Sequence, residues 1–264
     1  MELMTYVTCP TIRYHPAIIA QKAATMQLLA EGRVILGLGS GEELNEHVVG
    51  AAWPSVADRQ AMLVEAIHII RELHTGKLVD FTGDYFDVRS ARVWDLPEHP
   101  VAIAVAVGGE RGIKQFGPLT DHCIAVEPEA ELIATWNGVA TAPQIGDKAR
   151  AIGQIPICWD HDEKTAIARA HDQFRWFARG WAVNADLPTT AGFAGPSQFV
   201  RPEDVAKQIP CGPDLDAIVE AVGEYLEAGF TDVALVQIGG EHQDVFFDEC
   251  AQPLLKKLRA RATK

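Results

Sequence analysis

Three observations predict an α/β fold of parallel strands and crossover helices, of the (β/α)8 barrel type, held in a single domain over residues 1–264. Short apolar runs alternate with helical stripes along the 264 residues, the order that gives a parallel sheet with right-handed crossovers. Strand-like runs stop in glycine-containing loops, Gly39-Ser40-Gly41, Gly108-Gly109 and Gly239-Gly240, and barrels of this type place their sites at that end of the strands. The length suits one large domain. Six strand-helix units can be traced, whereas a closed barrel holds about eight. The count implies that two units are absent from the amino end.

Leu3 to Thr8 reads as the first strand. Cys9 to Pro16 is a loop, and Pro16 suits the first turn of a helix running from Ala17 to Ala30. Val34 to Leu38 is a buried strand, and Glu42 to Val49 reads as helical. Ser55 is an N-cap candidate for a helix to His74, with Leu63, Ile67, Ile70 and Leu73 as its apolar stripe; Gly76 closes it. Lys77 to Trp94 changes rhythm: two β-rich runs flank Thr82-Gly83-Asp84, a hairpin signal. Val101 to Ala106 and His122 to Val126 are the next strands, followed by short helices to Phe116 and from Glu129 to Trp136. Ile155 to Trp159 is the fifth parallel strand and Glu163 to Arg179 a long helix. Trp181 to Gln198, rich in Gly, Pro, Thr and Ala, reads as a long loop. Helices near Pro202 to Gln208 and Asp214 to Ala228, a strand over Val233 to Ile238 and a closing helix from Asp244 to Arg261 complete the chain.

The most informative stretch is Gly32 to Glu46. Gly39, Ser40 and Gly41 let the backbone turn sharply after a strand, and their amides are free to approach a ligand. Glu42 and Asn45 are three apart, so both can face one pocket. The same stretch also reads as a plain strand-to-helix turn whose acidic first turn complements the helix dipole. The glycines at 37, 39 and 41 lack the dinucleotide fingerprint.

The formal charge is −13, which disfavours a nucleic-acid partner. No apolar run reaches the roughly 18 residues of a membrane helix, so no membrane association is expected. Five cysteines are scattered without a CxxC pair, giving neither a disulfide framework nor a zinc site and fitting a reducing cytoplasm. His161, Asp162 and Glu163 have metal-like chemistry, but a helix start explains them more cheaply. His47 and His122 read as structural, and Trp176, Phe177 and Trp181 as core aromatics.

The run Leu36 to His47, with Trp53-Pro54, Arg59, Met62-Leu63, Glu65-Ala66-Ile67, Gly83 to Phe86, Val101 to Gly109 and Ile155 to Asp160, resembles the luciferase-like barrel superfamily. Within it, the chain is most similar to the branch that uses the deazaflavin coenzyme F420, which includes the F420-dependent glucose-6-phosphate dehydrogenases. The resemblance covers essentially the whole chain. It implies a TIM-type barrel and hydride transfer at C5 of the deazaflavin, with a small organic substrate. It places Ser40, Gly41 and Asn45 against the coenzyme and makes Glu42 the active-site carboxylate. Cys9 stands where a family threonine contacts the coenzyme. Gly108 and Gly109, completed by Arg111 and Gly112, match the loop that approaches the coenzyme's linker and phosphate. Tyr6-Val7 falls where the family can have a non-proline cis peptide. An Asp and a His that members carry earlier in the chain have no counterpart here.

Two positions that help hold the sugar phosphate in the glucose-6-phosphate enzymes are here Val126 and Glu129, inside an acidic run from Val126 to Glu131. Carboxylates repel a phosphate, so a neutral or cationic alcohol, aldehyde or activated alkene is an equal expectation. The alternatives are an FMN-dependent luciferase-like monooxygenase and a non-catalytic coenzyme-binding fragment. Family members are often dimers, which makes a homodimer a further expectation.

Overall fold

The computed structural model describes residues 1–142, 144, 149–179 and 181–262. They fall into two compact units, one of Met1–Ala125 with Ala130–Ile152, the other of Val126–Glu129 with the chain from Gly153 onward.

The first unit is built on parallel strands. β1 (Leu3–Met4) lies beside β2 (Val34–Leu38), then β5 (Ala102–Ala106), then β6 (His122–Ala125), with the opening residues of β7 (Arg150–Ile157) beyond. Leu3 aligns with Val34, Leu38 with Val105, and Ala104 with His122. Helices α1 (Pro16–Leu29), α2 (Glu43–Glu46), α3 (Val56–Leu73), α4 (Glu110–Phe116) and α5 (Ala130–Val139) connect or follow them. β2 is buried on both faces, as a parallel strand with a continuous apolar sequence should be. Ile35, Ala102, Ala104, Ile124 and Ile152 form one core cluster, with Met4, Val7 and Ala106 packed on it. The predicted α3 stripe of Leu63, Ile67, Ile70 and Leu73 is fully buried, and Ser55 caps that helix by accepting from Asp58 N at 3.2 Å. Asp121, 0% exposed, accepts from Ile103 N and from Arg71 Nη2, each at 2.7 Å, and so ties α3 to the strands.

The hairpin is present as β3 (Val79–Thr82) and β4 (Asp87–Ala91), an antiparallel pair separate from the parallel strands. Its turn is held by Glu65 of α3. That carboxylate accepts from the amides of Asp84 at 2.8 Å, Tyr85 at 3.1 Å and Phe86 at 3.2 Å. Glu65→Ala removes all three acceptor contacts. The expected result is a loss of about 1–3 kcal/mol in urea unfolding, with faster proteolysis confined to the hairpin. Unchanged cleavage there would show that the clamp is idle.

The second unit holds the rest of β7 with β8 (Asp232–Gln237) and the helices α6 (Glu163–Phe174), α7 (Trp181–Asn184), α8 (Thr190–Ser197), α9 (Pro202–Ala206) and α10 (Leu215–Glu227). A short α11 (Gln243–Val245) leads through a π-helical stretch, Phe246–Ala251, into α12 (Gln252–Ala262). Asp162 caps α6 by accepting from Thr165 N at 2.8 Å, so its role is structural. Ile218, Val219 and Val222 form the buried face of α10, joined by Tyr225.

Several expectations need correction. The first strand is only two residues long; the Tyr6-Val7 peptide is cis, and the run pairs with β2 again at Thr8, opposite Leu38. The 181–198 loop is instead α7 and α8; Thr189 caps α8 by accepting from Gly192 N at 3.2 Å, which outweighs the poor helix propensity of its glycines. β7 begins at Arg150, earlier than its apolar core implied. The helix from Glu163 stops at Phe174 and continues as a 3-10 segment, Arg175–Arg179. The closing helix is broken by the π stretch, since Pro253 has no N–H to offer the preceding turn. Among the described residues, no helix is long and apolar enough to cross a membrane.

Candidate active site

All the sequence-predicted site residues lie in the first unit; apart from Cys9, which follows β1, they lie in the loops and helix starts that follow the carboxyl ends of the adjacent strands β2 and β5. Gly39 to Gly41 follow β2, and Gly41 adopts a left-handed φ of +98°. Glu42 is the extended N-cap residue of α2, with φ −127° and ψ 136°, so it stands ahead of the helix and not within its first turn. Asn45 Nδ2 donates to Glu42 Oε2 at 3.4 Å, which confirms that the two side chains share one side of the turn.

Behind this loop the run Thr5 to Cys9 is sewn to β2. Thr5 Oγ1 donates to Gly37 O at 2.9 Å, Thr8 N donates to the same oxygen at 2.7 Å, and Gly39 N donates to Thr8 O at 3.0 Å. The stitching delivers Cys9 to the loop: a side-chain carbon at Gly41 would lie 3.7 Å from Cys9 Sγ, 3.4 Å from Trp53 Cη2 and 3.3 Å from Glu46 Cγ. Arg59 stacks over the Trp53 ring at 4.1 Å and donates from Nη1 to Pro54 O at 2.6 Å.

Two carboxylates give this corner its electrostatics. Glu46 has a fully buried side chain, accepts from Arg13 N at 2.9 Å, and pairs with Arg13 Nη2 at 3.4 Å. Glu42 is half-buried. Burial first, and the nearby Glu46 second, raise its pKa above the ordinary carboxylate range. Burial also pushes the Cys9 thiol up to about 12, with Glu46 and Glu42 adding and Arg13 opposing. A carboxyl group with raised proton affinity at a strand end is suited to proton transfer, whereas the Cys9 thiol stays protonated.

The second loop differs in character. A side-chain carbon at Gly108 or Gly109 would meet no atom within 4 Å, and Gly109 has an extended φ of 172°. Neither packing nor backbone conformation demands glycine at these two positions. Arg111 is exposed at the start of α4 and makes no ion pair among the described residues. Gly112 is buried under Phe116 and Val107. The histidines take structural parts, as expected: His47 Nδ1 meets Glu43 O at 2.9 Å, and buried His122 Nδ1 accepts from Arg150 N at 3.2 Å.

The luciferase-like monooxygenase family model matches residues 1–232. The chain belongs to that family. Within it, the chain is 35% identical over 98% of its length, and 80% of the relative's, to an F420-dependent glucose-6-phosphate dehydrogenase of Amycolatopsis mediterranei. It is 32% identical, with the same shares covered, to the enzyme of that name from Mycolicibacterium smegmatis. Among solved structures, an F420-dependent secondary alcohol dehydrogenase in complex with an F420-acetone adduct superposes with a TM-score of 0.83 at 26% identity, covering 97% of this chain and 79% of that one. This luciferase-like chain is therefore an α/β barrel-type protein of the same fold as those enzymes.

Sequence reasoning singled out Glu42 but missed Glu46 and Arg13. Glu46 lies four residues beyond Glu42, one helical turn on the same face. A second acidic residue at that spacing is the signal that was there to read, yet it ordinarily marks a solvated face. The Trp181 side chain lies outside the described residues.

Proposed function

We propose that this chain is an F420-dependent oxidoreductase that moves a hydride between the deazaflavin and a small organic alcohol or its carbonyl product, with Glu42 as the proton-handling group. The observation that carries this reading is the partly desolvated Glu42 at the end of β2, facing a second, buried carboxylate, in a chain whose curated relatives are F420-dependent dehydrogenases. The residues fit the coenzyme. Ser40, Gly41 and Asn45 would hold the ring system, with Cys9 beside them. Gly108, Gly109, Arg111 and Gly112 would hold the linker and phosphate, where Gly108 and Gly109 leave room and the guanidinium offers charge. When bound, the coenzyme supplies a carbon, C5, that accepts or donates hydride. Glu42 takes up the proton that leaves the substrate hydroxyl during oxidation and returns one during reduction. Cys9 supplies a weak hydrogen-bonding group where a hydroxyl would supply a strong one.

The substrate in this reading is neutral or cationic. Glu127, Glu129 and Glu131 crowd the segment that replaces the sugar-phosphate holders, and burial and Glu129 raise the pKa of Glu127. The five cysteines are free thiols, which supports a cytoplasmic location; a homodimer is the assembly we propose.

Titration of the chain with the deazaflavin, with FMN as control and ligand fluorescence as readout, tests the function. Saturable binding of the deazaflavin alone is the expected outcome. Binding of FMN alone, with oxygen consumed on reduction, would make the protein a monooxygenase. A cooperatively melting chain that binds neither would overturn the reading.

A further inference from the structure

Cys158 and Cys211 are distant in sequence and face one another in the second unit. They form a parallel bridge pair, flanked by Cys158 N donating to Pro210 O at 2.9 Å and Gly212 N donating to Cys158 O at 3.0 Å. Residues paired in this way have Cα atoms roughly 5 Å apart with side chains on one face, inside the span of a disulfide. Cys158 is 0% exposed and Cys211 is half-buried above it.

A core thiol needs no cation, yet one is supplied. Arg169, 8% exposed, brings Nη1 to 3.9 Å from Cys158 Sγ and pairs through Nη2 with Asp160. Ala166, Ala170, Val205, Ile209 and Ile238 pack around Cys158, whose Sγ also reaches Ile238 O at 4.0 Å, and the Glu163 carboxylate acts on Cys211. The closeness of Cys211 and the Arg169 guanidinium lower the Cys158 pKa against its burial, while the closeness of Cys158 and burial raise that of Cys211. Arg169 stands beside the Cys158 sulfur, so of the two sulfurs Cys158 has the cation that favours its anionic, attacking form. The other cysteines lack such a setting: burial holds Cys123 at about 12 and Cys250 at about 11.

We propose that Cys158 and Cys211 form a peroxide-reactive dithiol that closes to a reversible disulfide. The Cys158 sulfur attacks one oxygen of hydrogen peroxide, the O–O bond breaks, and the departing hydroxide takes a proton to leave as water. The resulting Cys158 sulfenic acid is attacked by the Cys211 sulfur; the S–O bond breaks, and the hydroxyl leaves as water with the Cys211 proton. Two thiols are oxidised by two electrons and one peroxide is reduced to two waters. A water-sized oxidant is the class that fits, because Cys158 is 0% exposed and Cys211 is half-buried.

The test treats the folded full-length chain with stoichiometric hydrogen peroxide. An intact-mass loss of about 2 Da, a Cys158–Cys211 linked peptide and reversal by dithiothreitol are expected. In Cys211→Ser the sulfenic acid should persist at Cys158, read as an intact-mass gain of about 16 Da and trapped by dimedone once the oxidised chain is unfolded. Cross-links scattered over other cysteines, oxidation without the 158–211 link, or no change in mass would each overturn the proposal. The mapping of the unmodified sequence stands whether or not the variant folds, and none of these readouts depends on F420 chemistry.

Discussion

Glu42→Gln is expected to lower turnover about 100- to 1,000-fold while deazaflavin affinity stays within about threefold. The amide keeps the size of the side chain and its contact with Asn45 but cannot take a proton. In the wild type, the rate of alcohol oxidation should rise with pH as Glu42 loses its proton. That limb should lie above the usual glutamate range, because burial and Glu46 raise the pKa; the variant should lack it. The same shift fixes the sign of the stability effect. With a folded pKa above the unfolded one, Glu42 contributes stability that is fully present below the unfolded pKa and lost as pH rises through the folded pKa. At neutral pH its charge is then a cost, and Glu42→Gln should melt about 2–4 °C higher, a gain that vanishes in acid. Matched kinetics and thermal melts across pH check both. Wild-type turnover in the variant, or a defect lying wholly in coenzyme affinity, would remove Glu42 from proton transfer.

Gly37→Ala is expected to cost about 3 kcal/mol or more and to free the segment that carries Cys9. A side-chain carbon at Gly37 would lie 2.0 Å from Thr5 O, and a backbone oxygen in a bonded segment has little room to retreat. Relief requires breaking the contacts that sew Thr5 to Cys9 onto β2. Urea unfolding should show the loss, and Cys9, whose thiol is otherwise held protonated with a pKa of about 12, should alkylate faster. Gly138→Ala is the control. It sits in α5 with nothing within 4 Å of the added carbon, so it should be neutral or slightly stabilising. Equal behaviour of the two variants would show that the close approach at Gly37 relaxes without consequence.

The parts of this protein that follow a simple period were legible in its sequence. Val34 to Leu38 declared a strand by continuous apolarity, and Leu63, Ile67, Ile70 and Leu73 declared the buried face of α3. Thr82-Gly83-Asp84 declared the hairpin turn, though not that Glu65, almost twenty residues earlier, would hold it. What stayed hidden depends on contacts between distant residues. Glu46 is buried because Arg13 comes to meet it. Cys158 and Cys211 looked scattered because pairing between strands leaves no trace in spacing. α7 and α8 formed in a segment whose composition favours loops, since one capping hydroxyl and local packing outweighed propensity. The Tyr6-Val7 cis peptide came from family resemblance alone; nothing in the composition of that dipeptide marks it.

The open space over Gly108 and Gly109 separates two kinds of selection. At most buried or tightly turned positions, a substitution is filtered by folding before any ligand is met, so retention of a residue says little about binding. Here the fold is indifferent. A library at these two codons, sorted once for soluble protein and once for coenzyme capture, should pass the first sort broadly and the second narrowly. The difference between the two lists would be a direct record of what the ligand tolerates, and the same codons are where a new cofactor preference could be evolved without first buying stability.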